Sequence, residues 1–427
     1  MNVLAVTPNF PNRIKEYLIL PSLELCIMAQ ILKDNHHNIE LIDMKINEYT
    51  IDDLLKELKD KSPDIILIDD IPETHCNTKI IIKELRKKYG NKVKIGIRGE
   101  LISFEPEMIM ERNPDLDFGL RYDDDYALLN YINNIDKDLS KVNNIVFRTK
   151  DNKIITTERQ INKYELDSLP MPYRELYDIK KYLKRDSETI VRSSRGCPGK
   201  CLFCTKTRME KFRIFSIKRF CDELEQMLQY GFKTFFFSDD TFAFSMPRLL
   251  ELKEELKKRK MKIKWTSNIR IKDITEEKIK LMKELGAYRV FVGIETINSK
   301  ASKTIGKSLQ KEEILSKIKI LKDNDMQFHA SFILGNPDDT EEDLESTIDF
   351  VKEIDPNIVT FNLIKIYPGL DLYKEPEKYG MIITDKYWFE KDDWTNKVVM
   401  GTKNLPPEKL EKWSRRLLFE FIKWKNY

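Results

Sequence analysis

In the first 140 residues, short apolar runs typical of strands alternate with segments in which apolar residues have helical spacing. Short apolar runs predict strands, and the continuous run Asp64–Ile68 predicts a strand buried on both faces. Between these runs, segments such as Leu23–Lys33 and Thr78–Lys88 place apolar residues at helical spacing. Strands that alternate with helices form a parallel sheet, and ligands bind at the carboxyl ends of its strands. Residues 1–140 are therefore predicted to be a doubly wound α/β domain.

The same alternation returns, more regularly, over residues 189–365. Six predicted strands are separated by five segments of helical spacing. This order predicts a partial (β/α)6 barrel, in which the chemistry lies at the carboxyl ends of the strands. The predicted strands are Thr189–Ser193, Thr234–Phe237, Ile263–Thr266, Arg289–Gly293, Phe328–Ile333 and Ile358–Leu363.

Two segments interrupt the alternation. In residues 141–188, short apolar runs flank the turn signal Asp151-Asn152, which predicts a hairpin, and two close prolines then predict a linker between domains. Residues 366–427 form a predicted helical tail that ends in a basic, apolar helix, KLEKWSRRLLFEFIKWK. We expect this helix either to dock onto one of the domains or to make a peripheral membrane contact and present a lipid substrate.

Composition excludes several classes of protein. The chain has 427 residues, with 74 Lys+Arg against 71 Asp+Glu, and a net charge of +3 gives no strong field for nucleic acid. Its hydrophobic content of 41% is too high for a disordered chain. No apolar run reaches the roughly 18 residues of a membrane span, and the first residues do not have the pattern of a signal peptide. We therefore expect a cytoplasmic protein, whose cysteines are thiols or metal ligands.

Three of the six cysteines lie within eight positions, directly after the first barrel strand. Cys197, Cys201 and Cys204 have the spacing C-x3-C-x2-C, in a loop that glycine and proline allow to curl. Three thiolates suit a soft metal or an iron–sulfur cluster, whereas a structural zinc site normally has four ligands. A zinc site would require a distant fourth ligand. On an iron–sulfur cluster, three cysteines would leave one iron open to a substrate or cofactor.

With Phe203 before the third cysteine, this loop resembles that of the radical SAM superfamily, and the resemblance covers about residues 186–365. It implies a [4Fe–4S] cluster on Cys197, Cys201 and Cys204. It also implies that S-adenosylmethionine (SAM) binds the open iron and is cleaved by one electron to a 5′-deoxyadenosyl radical. The electron would come from a donor such as flavodoxin or ferredoxin. In such enzymes the cofactor carries the chemistry and the protein positions it.

Polar residues follow successive barrel strands, and the resemblance gives each an expected role. Asp239 and Asp240 stand where the family contacts the SAM amino group, and Arg270 is expected to pair with the SAM carboxylate. Glu295 would meet a ribose hydroxyl or the amine, and Gly335 would let the backbone approach the adenine. The alternatives are a turn or helix cap for the aspartates, a surface salt bridge for Arg270 and a structural role for Glu295.

His329, within the fifth predicted barrel strand, is the one histidine of the barrel. It either reaches the substrate or is an ordinary core or surface residue.

The N-terminal domain resembles the Rossmann-like domain of the cobalamin-binding subgroup of radical SAM proteins, through residues 21–25, 36–43 and 63–68. Two later positions depart from the family. Arg98 replaces one glycine of a Gly-Gly pair, and Tyr122 stands where a turn glycine is expected. Because glycines there allow the backbone to approach the corrin ring, two expectations stay open: a bound cobalamin, or a domain of this fold that has lost it.

The resulting functional expectation is a radical SAM enzyme that performs cobalamin-dependent C-methylation. One alternative is a cobalamin-independent rearrangement, cyclisation, epimerisation or oxidation. The other, from a different class, is a metal-stabilised binding module. The sequence leaves a small-molecule, lipid or peptide substrate open.

Overall fold

The computed structural model describes residues 1–11, 19–161, 164–185, 188–209, 211–392 and 398–425. The chain divides into two compact units. The first comprises Met1–Asp186 and Tyr387–Trp394, and the second comprises Ser187–Lys386 and Thr395–Tyr427. A short piece of the predicted tail therefore belongs to the N-terminal unit.

The described residues of the N-terminal unit form a seven-stranded sheet of order β2-β1-β3-β4-β5-β6-β7. Strands β1 to β5 are parallel, whereas β6 and β7 form the predicted hairpin and add to β5 in antiparallel fashion. The continuous apolar run becomes the buried strand β3, as its pattern predicts. The strands are β1 (Asn2–Thr7), β2 (Asn38–Asp43), β3 (Ile65–Asp69), β4 (Lys94–Arg98), β5 (Phe118–Leu120), β6 (Ile145–Arg148) and β7 (Ile154–Thr156).

The helices of this unit begin at residues that suit helix starts. Ser22 caps the first helix through its side chain, and Thr50 forms a capping box with Asp53 at the second. The helices are α1 (Leu23–Asp34), α2 (Ile51–Glu57), α3 (His75–Tyr89), α4 (Glu100–Phe104), α5 (Pro106–Arg112), α6 (Ala127–Asn134) and α7 (Ile179–Arg185).

The second unit contains a six-stranded parallel sheet of order β15-β14-β13-β12-β11-β8, which confirms the predicted partial barrel. Along β14, buried residues alternate with half-buried ones, because one face packs under helices and the other faces the barrel interior. The strands are β8 (Glu188–Val191), β9 (Ser194–Arg195), β10 (Arg213–Ile214), β11 (Thr234–Phe237), β12 (Lys264–Ile269), β13 (Ala287–Glu295), β14 (Gln327–Leu334), β15 (Ile358–Leu363), β16 (Met381–Ile383) and β17 (Met400–Thr402).

Helices connect the barrel strands. Thr340 starts α14 (Glu341–Ile354) with a capping box to Asp343. The helices are α8 (Lys206–Met209), α9 (Ile217–Gln229), α10 (Met246–Lys258), α11 (Glu276–Glu284), α12 (Ser299–Thr304), α13 (Lys311–Asp323), α14 (Glu341–Ile354), α15 (Asp371–Lys374) and α16 (Pro407–Lys425).

The C-terminal helix α16 docks onto the barrel. Leu410, Trp413 and Leu417 form one buried cluster with Leu344 and Ile348 of α14. The same helix leaves other apolar side chains, including Phe419 at 62% exposure, open to solvent. In the part of the chain that the structure describes, no helix is both long and apolar enough to span a bilayer.

Candidate active site

A cavity of about 680 Å³ lies at the carboxyl ends of the barrel strands. It brings together the cysteine loop and polar residues that are far apart in sequence. All three loop cysteines line it, and so do four of the other predicted site residues. The predicted site residues that line the cavity are Cys197, Cys201, Cys204, Phe203, Asp240, Arg270 and Glu295.

The cysteine loop curves because its glycines allow it. At Gly196 φ is +73°, and a Cβ atom there would lie 2.9 Å from the carbonyl oxygen of Lys211. A Cβ atom on Gly199 would lie 3.3 Å from Cys197 Sγ and 3.9 Å from Cys201 Sγ. Both sulfur atoms therefore lie close to Gly199, where a larger residue would crowd Cys197.

Burial raises the pKa of the Cys197 and Cys201 thiols, so their thiolate forms require a compensating cation. Among the described residues, no group of three His, Cys, Asp or Glu side chains converges closely enough to hold a single metal ion. Three cysteines suit an iron–sulfur cluster better than one zinc ion, because a structural zinc site normally has four ligands.

The two adjacent aspartates after β11 differ in position. Asp239 is fully buried and accepts hydrogen bonds from the Ser193 backbone N–H (3.1 Å), the Ser193 hydroxyl (2.8 Å) and the Ser194 hydroxyl. Burial raises the pKa of Asp239, although these donors oppose the shift. Asp240 instead lines the cavity. Asp239 thus ties β11 to the segment that leads into the cysteine loop, and Asp240 is the aspartate that faces the site.

Arg270 lines the cavity but is already paired with Asp273. Its Nε and one Nη donate to the two Asp273 oxygens at 2.6 and 3.0 Å. This bidentate pair raises the pKa of the guanidinium and fixes its plane. The salt bridge proposed for Arg270 exists, and it lies at the cavity rather than away from it.

Glu295 has a cationic partner that sequence reasoning missed. Lys307 Nζ lies 2.8 Å from Glu295 Oε1 and 2.7 Å from the Gly293 carbonyl oxygen, and both side chains line the cavity. Glu295 has a left-handed backbone (φ +70°). A Cβ on Gly293 would lie 2.2 Å from Glu295 Oε1, so this glycine makes room for the pair. The dipeptide Gly306-Lys307, in a loop after the unpredicted helix α12, is the signal that could have identified Lys307.

Gly335 does not line the cavity. Its φ is +89°, and a Cβ atom there would lie 2.6 Å from Leu410 of the C-terminal helix. The close approach that this glycine allows in the structure is therefore to α16. Nearby Asp339 is buried, and it accepts hydrogen bonds from Thr296 Oγ1 (2.8 Å) and the Asn336 backbone N–H (3.0 Å). Burial raises the pKa of Asp339 to about 7.

At the carboxyl edge of the N-terminal sheet, polar side chains bond to one another. Arg98 donates to Asp69 Oδ1 at 2.5 Å. His75 and Asp70 are fully buried and joined at 2.8 Å between Nδ1 and Oδ2. The Arg98 side chain is only 10% exposed. It is therefore held against Asp69 and does not project freely from this edge of the sheet.

The other altered position, Tyr122, keeps a left-handed backbone (φ +61°), as the expected glycine would. Its backbone N–H donates to Ser103 Oγ at 2.7 Å. Its ring lies 3.9 Å from the Arg159 guanidinium. At Gly99 φ is +140°, and a Cβ atom there would lie 1.8 Å from the Asp70 carbonyl oxygen. Tyr122 therefore adopts a backbone conformation that favours glycine, and beside Arg98 such a conformation is found at Gly99.

Comparison with known proteins assigns a family model to each of these two regions. The family model of the radical SAM superfamily matches residues 191–351, and that of the B12 binding domain matches residues 13–131. The chain is a radical SAM enzyme with a B12-binding domain. This assignment identifies an enzyme rather than a metal-stabilised binding module.

Curated relatives extend over most of this radical SAM chain. An uncharacterized methyltransferase of Pyrococcus horikoshii, PH0819, is 27% identical over 429 residues, which cover 99% of this chain and 92% of the relative. The anaerobic magnesium-protoporphyrin IX monomethyl ester cyclase of Rubrivivax gelatinosus is 24% identical, covering 91% of this chain and 72% of the relative.

Solved structures share the fold. The radical SAM methyltransferase TsrM of Kitasatospora setae, with cobalamin and a [4Fe–4S] cluster bound, has a TM-score of 0.77 at 14% identity and covers 99% of this chain and 88% of its own. OxsB with aqua-cobalamin and SAM has a TM-score of 0.71 at 19% identity, covering 100% of this chain and 61% of its own. At these identities the likeness shows a common fold.

The two family models imply a [4Fe–4S] cluster, SAM and cobalamin as the cofactors of this radical SAM enzyme. The barrel fits the first two, because its cavity joins three cysteines to side chains of both charges. At the N-terminal edge, Arg98 is held by Asp69 and Tyr122 has a left-handed backbone, so the two altered positions are compatible with a bound cobalamin.

Proposed function

We propose that this protein is a radical SAM methylase that transfers a methyl group to a carbon atom of its substrate with the help of cobalamin. The observation that carries the proposal is the barrel cavity, in which the cysteine loop meets acidic and basic side chains. A B12-binding domain in the same chain and a curated relative named as a methyltransferase support methyl transfer. A small-molecule, lipid or peptide substrate is compatible with the proposal.

Each of these cavity residues has a role that follows from its chemistry. Cys197, Cys201 and Cys204 hold the cluster through their thiolates. Asp240 receives the ammonium group of SAM, and Arg270, kept in plane by Asp273, pairs with its carboxylate. When bound, cluster and SAM supply a 5′-deoxyadenosyl radical, and cobalamin supplies the methyl group.

The remaining cavity residues position these groups. Glu295 accepts a ribose hydroxyl, while Lys307 holds the Glu295 carboxylate in place. Phe203 covers the cluster from its own loop. We further infer a cytoplasmic location and a reduced flavodoxin or ferredoxin as electron donor, since the chemistry requires single electrons at low potential.

Anaerobic reconstitution tests the proposal. The wild-type protein, supplied with iron, sulfide, hydroxocobalamin and a low-potential reductant, is incubated with SAM that carries a CD3 group. We expect about four irons per chain, a retained corrin absorption band and 5′-deoxyadenosine. Incubation with fractionated cell extract should give a CD3-labelled product that mass spectrometry detects.

A variant with Cys197, Cys201 and Cys204 all replaced by Ala is the matched control. It should lose iron and 5′-deoxyadenosine formation together, while the corrin band is kept by the separate N-terminal unit. Undiminished 5′-deoxyadenosine from this variant would refute the cluster assignment. Active SAM cleavage without corrin binding would favour the cobalamin-independent radical reaction, for which the altered Arg98 and Tyr122 positions are the supporting observation.

A further inference from the structure

The cavity of the barrel has two chemically different walls. Every formally charged side chain among the described lining residues comes from the cysteine loop, from the ends of β11 to β13 or from the segments that follow them. Strands β14 and β15 contribute His329, Ser331 and Thr360 to the lining, and Phe291 of β13 adjoins them. The charged lining residues are Lys200, Asp240, Arg270, Lys272, Glu295 and Lys307.

The register of the strands defines the second wall. Phe291 pairs with His329 across β13 and β14, and in the next row Ser331 pairs with Thr360 across β14 and β15. The Phe291 and His329 rings are 5.0 Å apart between centroids, at an angle of 48°. These two rings form an aromatic surface on which another ring can pack.

Hydroxyl, amide and imidazole groups form a network on this wall. His329 Nε2 lies 3.1 Å from Thr360 Oγ1, and Asn362 Nδ2 donates to Ser331 Oγ at 3.0 Å. Within the residues that the structure describes, His329 Nδ1 makes no hydrogen bond. Burial, together with nearby Arg289, lowers the pKa of His329, so the imidazole is neutral at pH 7 and can donate or accept.

This chemistry selects against charge. A carboxylate or ammonium group pressed against this wall would lose its hydration, and none of the four side chains of the wall carries a formal countercharge. An uncharged ring would pack on Phe291 and His329, and a polar group on it would find the imidazole and the hydroxyls. Gly293, one row above Phe291, makes room for the Glu295–Lys307 pair, so the two walls meet at this point.

We propose that Phe291, His329, Ser331 and Thr360 form the substrate-recognition wall, and that it takes an uncharged ring bearing a hydroxyl or similar hydrogen-bonding group, with His329 as the residue that contacts that group. This inference rests on the proposed function, because it assumes that the charged wall is filled by the cluster and SAM.

Two probes with the same ring test the selection. Naphthalene-2-ethanol and 2-naphthylacetate differ in a CH2OH group against a carboxylate. Each is titrated into the reconstituted, SAM-loaded protein under anaerobic conditions, and binding is followed by naphthalene fluorescence. We expect the alcohol to bind at least about tenfold more tightly than the carboxylate.

Variants of β14 test the role of His329. His329→Phe keeps a ring but removes the hydrogen bond, and should weaken binding of the alcohol by about tenfold. His329→Gln restores a polar group and should recover part of the affinity. Gln327→Ala lies on the same strand outside the cavity and should leave the affinity unchanged.

Equal or tighter binding of the carboxylate, equal affinity of His329→Phe and wild type, or no binding of either probe would each overturn the inference. The same preparations are assayed for 5′-deoxyadenosine. If wild type does not cleave SAM, the proposed function fails. If SAM is cleaved but the probes do not behave as expected, the recognition wall alone is wrong.

Discussion

The two units of this protein both present the carboxyl ends of parallel strands, yet their polar side chains are arranged differently. In the barrel, Asp240, Arg270 and Glu295 face a cavity that also contains the cysteine loop. In the N-terminal unit, Arg98 is bonded to Asp69, and His75 is bonded to Asp70 within the core. The paired charges of the barrel edge line a cavity that a ligand can enter, whereas those of the N-terminal edge are mostly buried within the unit.

This difference follows from what each edge is expected to bind. SAM brings an ammonium and a carboxylate, so side chains of both signs gain partners when it binds. A corrin ring requires close approach of the backbone, and unpaired buried charges beside it would be unfavourable. We expect the barrel edge to respond to substitutions through ligand binding, and the N-terminal edge through stability.

The largest expected effect is the difference between substitutions at the two adjacent aspartates of the barrel. Asp239→Ala removes the acceptor for three donors of Ser193 and Ser194, which precede the cysteine loop, and should prevent stable cluster assembly. Asp240→Ala should keep the iron and weaken SAM binding by about tenfold. Iron content and equilibrium binding of SAM measure the two effects. Equal iron content in both variants would contradict the distinction.

A backbone position tests the N-terminal edge. Gly99→Ala would place a Cβ atom 1.8 Å from the Asp70 carbonyl oxygen at φ +140°, and should lower the free energy of unfolding by about 3 kcal/mol or more. Gly380→Ala, also at a positive φ but with no atom within 4 Å, should lower it by about 1 kcal/mol. Chemical denaturation measures both. If both variants lose a similar free energy of unfolding, the contact between Gly99 and the Asp70 carbonyl oxygen is not tight.

We expect the free energy of unfolding to depend on pH through Asp339. Among the described residues, no cation pairs with this side chain. Its pKa of about 7 in the folded state lies above that of the unfolded chain, near 4. Between these values the unfolded state loses its proton first, so this group lowers the free energy of unfolding as pH rises, by up to about 1.4 kcal/mol per pH unit. Chemical denaturation at pH 5 and pH 7 measures the change in the free energy of unfolding between the two values. This change should be smaller for Asp339→Asn than for wild type, and an equal change would exclude the titration of Asp339 as its cause.

The smallest effect concerns the paired carboxylate of the N-terminal edge. Arg98→Gln removes the cation beside Asp69 and should lower the free energy of unfolding by about 2 kcal/mol, since the carboxylate is mostly buried. Arg415→Gln, whose partner Glu411 is exposed, should change it by less than about 0.5 kcal/mol. Denaturation curves at pH 7 compare the two. If Arg98→Gln is as mild as its control, this edge is more hydrated than its burial indicates.

Much of the fold could be predicted because local patterns and global packing agree. Strands β11 and β15 have the boundaries that their apolar spacing predicts. Strand β9 and helix α12 lack such a signal, because their sequences, SR and SKASKT, are too polar to show an apolar period.

Sequence by itself determined the chemistry of the cysteine loop, because the spacing C-x3-C-x2-C is local and few other ligand sets share it. It also determined the alternation of strands and helices, which depends on neighbouring residues. Only the tertiary structure decided that Asp240 rather than Asp239 faces the cavity, that Lys307 partners Glu295, and that Arg98 is held by Asp69. Those contacts join residues that are distant in sequence or turn on side-chain direction at a strand end, and no local pattern encodes them.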